Sequence, residues 1–400
     1  VVCEARAKGI PISSEPRLAT QWAPAPVVGI TGSSGKTTTT ALTGEMLARD
    51  GRVTWVGGNI GAPLIERLLG GERPDVIVME LSSFQLELFT PEYQGETVDR
   101  ERSAASRVVL LAGWSPHVAA VTNITPNHLD RHATMDEYAD AKANIVAFQR
   151  PGDRVVLNAE DPYSARLAAR TPADVLYFAL DGAVPQGAFL AGDELVLRVD
   201  GDEEVICSTY AVRLRGRHNL ANILTAACCA AAAGASVEAI RWVATTFRGV
   251  PHRLEVVREW RGATFINDSI ATSPERAVAA LRAFDRPVIL LAGGRDKHLP
   301  WEAWAEEALD RARAVVGFGE AASLIERTLR EAIARRGGQS EVAVHLEVNL
   351  ERAVERAAAL ANPGDVVLLS PGGTSFDAYK DFEARGARFR ELVASLPEGA

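Results

Sequence analysis

Residues 27–49 read VVGITGSSGKTTTTALTGEMLAR, and this stretch decides the fold. An apolar run at 27–31 is typical of a buried strand, the Gly/Ser/Thr-rich segment 32–40 follows it directly, and a helical pattern continues to Arg49. In the order strand, glycine-rich loop, helix, backbone N–H groups and a helix N-terminus can meet the phosphates of a nucleotide. We therefore predict a phosphate-binding loop at 32–40.

The polar side chains of this loop carry the chemistry. Lys36 supplies a positive charge and Thr37 a hydroxyl for Mg²⁺, while the glycines leave space for a phosphate against the backbone. The loop has the form G-x-x-G-x-x-G-K-T, because Ile30 stands where the strict Walker A pattern has a glycine. The variant keeps the same physical elements, so we expect it to bind nucleotide phosphates.

Strand and helix patterns alternate on the C-terminal side of this loop. Further strands are predicted at 53–56, 76–80 and 119–124, and helices at 63–69 and 135–148. Such alternation is typical of a mostly parallel sheet with helices on both faces.

Two segments depart from this alternation. The short alternating runs of 188–215 are broken by turn residues at 192–193 and 200–202, which predicts hairpins and a small antiparallel part. The polar and charged stretch 91–107 has little periodicity, and we interpret it as a surface insertion.

The alternation restarts after Pro251. The strands predicted there are each followed by a helical pattern and lie at 264–267, 288–292, 314–317, 342–346 and 366–370. This predicts a second doubly wound domain. The fold class is thus α/β, with a P-loop-type central domain at 25–250 and a Rossmann-like C-terminal domain at 251–400.

Composition excludes several classes of protein. The formal net charge is −9 over 400 residues, which argues against a general nucleic-acid-binding protein with a basic surface. The sequence contains no apolar stretch of membrane-spanning length. The four cysteines, Cys3, Cys207, Cys228 and Cys229, lack C-x-x-C spacing, so we predict buried thiols in a reducing cytoplasm.

Other polar residues follow the predicted strands. Glu80 ends a strand, where a carboxylate beside a phosphate loop is well placed to hold Mg²⁺. The cluster NHLDRH at 127–132 follows the strand at 119–124 and indicates contact with a metal or a phosphate. Lys142 lies on the next helix, where by itself it would be interpreted as a solvated lysine.

Together these stretches resemble the Mur ligase family, the ATP-dependent amide-bond ligases of peptidoglycan precursor synthesis. The resembling stretches keep the family's order over almost the whole chain and lie at 29–40, 57–61, 80–87, 122–131, 216–222, 247–255, 266–272, 293–297 and 370–386. Within the family, ELSSFQLE at 80–87 and the stretch at 370–386 match the members that add D-glutamate.

The resemblance implies a two-stage reaction. ATP phosphorylates the carboxylate of UDP-N-acetylmuramoyl-L-alanine, and the amine of D-glutamate then attacks the acyl phosphate. The implied cofactors are ATP and two Mg²⁺ ions. The implied enzyme is a cytoplasmic monomer without nucleic-acid or membrane partners.

The resemblance also implies roles for individual residues. ATP is expected to contact Gly32, Ser33, Ser34, Gly35, Lys36, Thr37, Thr38, Asn222, Arg253 and Asp268. The implied magnesium ligands are Thr37, Glu80, His128 and a carbamate formed from CO₂ on Lys142. Substrate binding is expected at Asn59, Ser82, Thr272, Lys297, Ser375 and Phe382, although core packing would equally explain Phe382. The implied catalytic residues are Lys36, Asn59, His128 and Lys142.

Two features depart from the family pattern. Ile270 stands in the motif at 267–273 where the family has a lysine, so Lys297 or Arg295 would have to supply the missing charge. The chain also starts shortly before the phosphate loop, and we expect 1–24 to be the remnant of an N-terminal uridine-binding domain and its linker.

Two alternatives remain open at this point. The chain could be another Mur ligase or a folylpolyglutamate synthase, although 80–87 and 370–386 argue against both. It could also be a non-catalytic ATP-binding fragment, because the uridine-binding domain is expected to be absent.

Overall fold

The computed structural model describes residues 4, 5, 8, 12–59, 63–89, 113–126, 132, 134–214 and 216–397. The chain divides into two compact units, Val1–Arg248 and Gly249–Ala400. Each unit has its own β-sheet. The predicted metal ligand His128 and the predicted insertion at 91–107 lie outside the described residues.

The first unit is built on a nine-stranded sheet. In chain order its strands are β1 (Val27–Thr31), β2 (Thr54–Gly58), β3 (Val76–Glu80), β4 (Val118–Val121), β5 (Arg154–Asn158), β6 (Asp174–Ala179), β7 (Gly187–Ala191), β8 (Glu194–Val199) and β9 (Asp202–Ser208). The spatial order is β2-β3-β1-β4-β5-β6-β7-β8-β9. Strands β2 to β7 pair in parallel, and β8 and β9 continue the sheet in antiparallel pairs.

Helices accompany this sheet along the chain. They are α1 (Glu15–Gln21), α2 (Lys36–Arg49), α3 (Leu64–Leu69), α4 (Ser83–Leu86), α5 (Met135–Ala143), α6 (Pro162–Arg166), α7 (Arg217–Ala232) and α8 (Val237–Thr246). All residues of β1 and β3 are buried, as expected for parallel strands at the centre of an α/β unit. The alanine-rich α7 contacts both α2 and the sheet.

The second unit contains a six-stranded sheet in the order β10-β11-β15-β12-β13-β14. Its strands are β10 (Glu255–Trp260), β11 (Ala263–Asn267), β12 (Val288–Gly293), β13 (Ala312–Phe318), β14 (Ala343–Glu347) and β15 (Val366–Gly372). Only the β10–β11 pair is antiparallel among these. The helices are α9 (Pro274–Leu281), α10 (Glu302–Arg311), α11 (Ala322–Arg335), α12 (Leu350–Leu360) and α13 (Phe382–Ala394).

Alternate residues of the second sheet enter two separate cores. Ile266, Leu290 and Leu368 belong to one cluster, while their neighbours Phe265 and Leu291 belong to the other. Because side chains alternate between the faces of a strand, helices must cover both faces of this sheet. The predicted α/β class, with a mostly parallel sheet, a small antiparallel part and a Rossmann-like second half, is therefore confirmed.

Some element predictions were incomplete or wrong. Strands β5, β6 and β10 were not predicted from the sequence. The helix predicted at 135–148 ends at Ala143, and Ile145 and Val146 are buried in the turns that follow it. The strand predicted at 119–124 ends at Val121. Residues 122–124 instead form a loop, in which Thr122 and Asn123 contact the phosphate loop.

The described cysteines are Cys207, Cys228 and Cys229, and all three are free and buried, as predicted. Burial raises the pKa of the Cys228 thiol to about 12, so this group stays protonated and unreactive. Among the helices of the described part of the chain, none is long and apolar enough to cross a membrane.

Candidate active site

The phosphate loop runs from the end of β1 to the start of α2, and two of its glycines are required by geometry. Gly32 has a φ of 149° and Gly35 a φ of 81°. A Cβ atom at Gly32 would collide with the Thr122 hydroxyl, and one at Gly35 with the Asn222 side-chain oxygen. Gly35 is the N-cap of α2, so the phosphate loop ends at a helix N-terminus, a position whose dipole and N–H groups favour anions.

The loop after β4 holds the phosphate loop in place. The Ser33 N–H donates to the Asn123 carbonyl at 2.8 Å, and the Ser34 N–H donates to Asn123 Oδ1 at 3.0 Å. Thr122 Oγ1 donates to the Ser34 carbonyl at 2.6 Å. Because β1 and β4 are parallel neighbours, their carboxyl ends meet, and residues far apart in sequence shape one loop.

Two lysine ammonium groups converge on a single backbone oxygen. Lys36 Nζ donates to the Gly32 carbonyl at 2.8 Å, and Lys142 Nζ donates to the same oxygen at 2.9 Å. Lys142 is 1% exposed, and its Nζ lies 4.7 Å from the centre of the Tyr138 ring. Burial, together with the charge of Lys36, lowers the pKa of Lys142 to about 7, although Glu80 acts in the opposite direction.

Glu80 ends β3, next to β1, and is 2% exposed. Its Oε1 accepts from Asn59 Nδ2 at 2.9 Å, and the Asn59 N–H donates to the Glu80 carbonyl at 2.9 Å. Its Oε2 is buried without a hydrogen-bond partner. Because an unpartnered buried carboxylate oxygen is costly, this atom fits a cation ligand.

The magnesium set implied by the resemblance is compatible with this geometry. Thr37 is buried at the start of α2 and supplies a hydroxyl, and Glu80 supplies the unpartnered oxygen. Within the described ranges there is no group of three or more His, Cys, Asp or Glu side chains that could hold a metal by themselves. A cation held by Thr37 and Glu80 would therefore take its other ligands from elsewhere.

Ser82 is the N-cap of the short helix α4, just beyond Glu80. Its side chain accepts from the Gln85 N–H, while Gln85 Oε1 accepts from the Ser82 N–H at 2.9 Å, which forms a capping box. The next residue, Ser83, contacts the buried His132, whose Nε2 lies 3.3 Å from Ser83 Oγ. The capping box fixes Ser82 relative to β3.

In the second unit, Asp268 lies in the loop after β11 and is 4% exposed. Its Oδ1 accepts from the Leu254 N–H at 3.2 Å and its Oδ2 accepts from the Ser370 hydroxyl at 3.0 Å. Burial raises the pKa of Asp268 to about 7. These two hydrogen bonds and the charges of Arg253 and Arg276 lower the pKa, but burial has the larger effect. Arg253 is flanked by His252 and Leu254, which both have positive φ.

Thr272 and Lys297 lie together in this unit, with Lys297 Nζ 3.3 Å from Thr272 Oγ1. Ser375 is buried and lies in the loop after β15. The neighbouring Thr374 pairs with Arg295 through two backbone hydrogen bonds of 2.8 and 2.9 Å, which join the loops after β12 and β15.

Phe382 begins α13 and is half-buried. Its carbonyl accepts from the Ser269 hydroxyl at 2.8 Å, and its ring meets the His252 ring edge-on at 6.2 Å. Its backbone is therefore tied to the loop that carries Asp268, and its side chain is partly accessible.

Two family models match this chain. The model of the Mur ligase middle domain matches residues 30–94 and 100–230, and the model of the Mur ligase glutamate ligase domain matches 252–373. A UDP-N-acetylmuramoylalanine–D-glutamate ligase of Clostridium novyi is 42% identical, over 98% of this chain and 79% of the relative. One of Symbiobacterium thermophilum is 43% identical, over 98% of this chain and 80% of the relative.

The chain belongs to the Mur ligase family.

Solved Mur ligase structures share the fold. The murein peptide ligase Mpl of Psychrobacter arcticus aligns with a TM-score of 0.57 at 14% identity, over 100% of this chain and 84% of its own. The MurF ligase of Thermotoga maritima, solved in complex with ADP, aligns with a TM-score of 0.54 at 20% identity, over 94% of this chain and 81% of its own. At these identities the likeness concerns the fold.

The Mur ligase fold brings several predicted residues together within each unit. In the first unit, the phosphate loop with Lys36 and Thr37 has contacts from Lys142 and Asn222, and Asn59 pairs with Glu80. Thr38 lies half-buried in the first turn of α2. In the second unit, Thr272 pairs with Lys297.

Several residues that shape this Mur ligase site were not predicted. Tyr138 Oη lies 3.1 Å from Ser33 Oγ, and Asn123 holds Ser33 and Ser34. The sequence contained a signal for each residue. Tyr138 lies four residues before Lys142, so the two share a helix face. Asn123 follows the carboxyl end of a strand, as the phosphate loop does. Arg385 lies in the matching stretch 370–386 but was given no role, and Arg276 lies outside the matching stretches.

Proposed function

We propose that this chain joins D-glutamate to UDP-N-acetylmuramoyl-L-alanine in an ATP-dependent reaction that forms an amide bond, ADP and phosphate. The observation that carries the proposal is the 42% identity over 98% of the chain to a ligase named for this reaction. The phosphate loop, with two lysines at one carbonyl oxygen, supports the ATP dependence. The proposed cellular setting is the cytoplasm, with the enzyme acting as a monomer on small-molecule substrates.

In the proposed first stage, an oxygen of the alanine carboxylate attacks the γ-phosphorus of ATP, and the bond to ADP breaks. Lys36 and N–H groups at the start of α2 hold the phosphates, with Asn222 against the loop. Phosphoryl transfer depends mainly on positioning and charge neutralisation, and these groups supply both. Asn59 and Ser82, at the ends of β2 and β3, are proposed to position the acyl substrate and the transferring phosphate.

Mg²⁺ would neutralise charge on the phosphoryl oxygens. Thr37 and Glu80 are the described residues that would hold it, and His128 is proposed as a further ligand. The lowered pKa of Lys142, about 7, supports the proposed carbamate because a large fraction of the amine is then neutral near pH 7. The neutral amine adds to CO₂ and loses a proton, which leaves an anion in place of a second ammonium.

In the proposed second stage, the amine of D-glutamate attacks the acyl carbon, and the tetrahedral intermediate releases phosphate. The domain at 251–400 is proposed to bind the amino acid through Thr272, Lys297, Ser375 and Phe382, and the domain at 25–250 to bind ATP. Arg253 and Asp268 are proposed as further ATP contacts. A cation with hydroxyl groups around it is suited to a dicarboxylic amino acid.

Phosphate release tests the proposal directly. The protein is given ATP, Mg²⁺ and UDP-N-acetylmuramoyl-L-alanine, and D-glutamate is compared with L-glutamate, L-lysine and diaminopimelate. We expect release with D-glutamate alone. Release with another amino acid would favour a different Mur ligase activity, and ATP binding without turnover would favour a non-catalytic protein. Lys36→Met is the control, because phosphate release that depends on the phosphate loop should be lost in this variant.

A further inference from the structure

Arg276 lies next to the position where this chain lacks the lysine of the family motif. It belongs to the first turn of α9, six residues after Ile270, and its side chain is exposed. Its Nη1 reaches back to the Ile270 carbonyl at 3.4 Å, a marginal contact for a cation with five N–H donors. The guanidinium is therefore held beside the loop of residues 268–272 by a weak contact that a ligand can replace.

Arg276 is one of three cations around this loop. Lys297 Nζ contacts Thr272 Oγ1, and Arg385 donates to the Ser269 carbonyl at 2.9 Å, to Ser269 Oγ at 3.0 Å and to the Gly373 carbonyl at 3.1 Å. Burial, with the charges of Arg276 and Arg385, lowers the pKa of Lys297. The three cations are thus close enough to repel one another.

The carboxylates of Asp268 and Asp377 act on this cluster without forming ion pairs with it. Among the described residues, no carboxylate forms an ion pair with Arg276, Lys297 or Arg385, although Asp377 acts on Arg385 from a distance. The two oxygens of Asp268 accept from Leu254 and Ser370. Asp268 and Asp377 offset part of this charge, and the remaining positive field of the three cations favours an anion.

Arg295, the other residue considered to replace the missing lysine, is neutralised. Its guanidinium binds Glu320 through two bonds, Nε to Oε2 at 2.8 Å and Nη2 to Oε1 at 2.9 Å. Lys297 is already the cation paired with Thr272. Arg385 is held by bonds to Ser269 and Gly373, whereas Arg276 has only the marginal contact with the Ile270 carbonyl, so Arg276 is the cation best placed to supply a further charge there.

The topology places the cluster where ligands bind in open α/β sheets. Thr272 follows β11, Lys297 follows β12, and Gly373 follows β15, and these three strands are parallel neighbours. Ligands bind beyond the carboxyl ends of such strands.

We propose that Arg276 is a specificity-determining residue that binds a carboxylate of the incoming amino acid and replaces the charge absent at Ile270. A planar guanidinium binds a carboxylate through two parallel N–H···O bonds, and Lys297 with Thr272 remains available for the second carboxylate. Two carboxylates would offset two of the three positive charges of the cluster, which favours a dicarboxylic acid. The inference rests on the proposed function, because it takes D-glutamate as the acceptor.

Steady-state kinetics of Arg276→Met test the inference. We expect the KM for D-glutamate to rise about 10- to 100-fold, the range for loss of a hydrogen-bonded charge, while the KM for ATP stays unchanged. The matched control is Arg327→Met, which removes the same charge from an exposed position on α11 and should leave the KM unchanged. Arg276→Lys should give an intermediate KM, and it decides the question if the methionine variant does not fold.

A rescue experiment separates binding from a structural role. Adding Ile270→Lys to Arg276→Met should recover most of the lost affinity, because a lysine at 270 returns a charge to the same loop. An unchanged KM in both Arg276 variants of an active enzyme overturns the inference and leaves the proposed function standing. Absence of both turnover and calorimetric binding of D-glutamate in the unmodified protein overturns both.

Discussion

At the scale of single residues, the site concentrates charged side chains in a mostly buried setting. Lys36 and Lys142 share the Gly32 carbonyl, and Glu80 keeps one buried oxygen without a hydrogen-bond partner. Groups of this kind cost free energy in the folded chain. They would become favourable on binding of the proposed ATP and divalent cation, which would repay this cost.

Glu80→Gln tests the proposed cation site. The amide keeps the shape of the side chain and the contact with Asn59 but loses the charge, so the Mg²⁺ concentration for half-maximal activity should rise at least about 10-fold. A Mg²⁺ titration of phosphate release measures it, with the exposed Glu238→Gln as the matched control. An unchanged Mg²⁺ dependence would remove Glu80 from the proposed ligand set.

Asp268→Asn tests the buried carboxyl group through pH. The folded pKa of about 7 lies above the ordinary aspartate pKa of 3.8, so the folded state binds more protons than the unfolded state between these values. Asp268 therefore destabilises the native protein increasingly as pH rises from about 4 to 7. Relative to the variant, the unmodified protein should lose on the order of 2 kcal/mol of unfolding free energy between pH 5 and 8.

Urea unfolding of both proteins at several pH values measures this difference. Parallel pH profiles for the two proteins would show that Asp268 is ionised throughout the range.

The sequence could predict which residue types carry the chemistry, but not how each is partnered. Lys142 was identified through the family resemblance, since a helical lysine alone gives no sign of burial. Arg276 was not identified because its role depends on the loop into which its side chain folds back. Such contacts are set by tertiary structure, which a one-dimensional pattern does not contain.

At the scale of elements, the phosphate loop depends on its neighbours β4 and α7. Asn123 and Thr122 bond to the loop from one side, and Asn222 contacts Gly35 from the other. Strand β10 was missed because it pairs at the edge of its sheet and mixes charged with apolar residues. Strands β1 and β3 were predicted correctly because parallel central strands are apolar throughout.

Gly35→Ala tests the close contact between Gly35 of the phosphate loop and Asn222 of α7, called here the Gly35–Asn222 junction. The substitution places a Cβ against Asn222 Oδ1 at a φ of 81°, a conformation that costs alanine about 1 kcal/mol even without the clash. We expect ATP affinity to fall at least about 10-fold, as measured by titration with a fluorescent ATP analogue. Gly51→Ala, whose Cβ would meet no atom within 4 Å at a φ of 89°, is the control for backbone strain alone. Equal affinities in the two variants would contradict the described junction.

At the scale of the whole molecule, each unit has its own sheet and its own hydrophobic cores. This arrangement predicts that a fragment of residues 249–400 folds by itself. Its circular dichroism should show a cooperative thermal transition, since two core clusters cover the faces of its sheet. A fragment without a cooperative transition would show that the second unit depends on the first.

The central claim is that the chain forms an amide bond by way of an acyl phosphate. The most direct test supplies UDP-N-acetylmuramoyl-L-alanine labelled with oxygen-18 in its alanine carboxylate, together with ATP, Mg²⁺ and D-glutamate, and analyses the released phosphate by mass spectrometry. The carboxylate oxygen that attacks ATP stays bonded to phosphorus, because the amine attacks the acyl carbon and phosphate leaves with that oxygen. We predict one oxygen-18 atom in each phosphate released with amide formation, whereas unlabelled phosphate would contradict the claim.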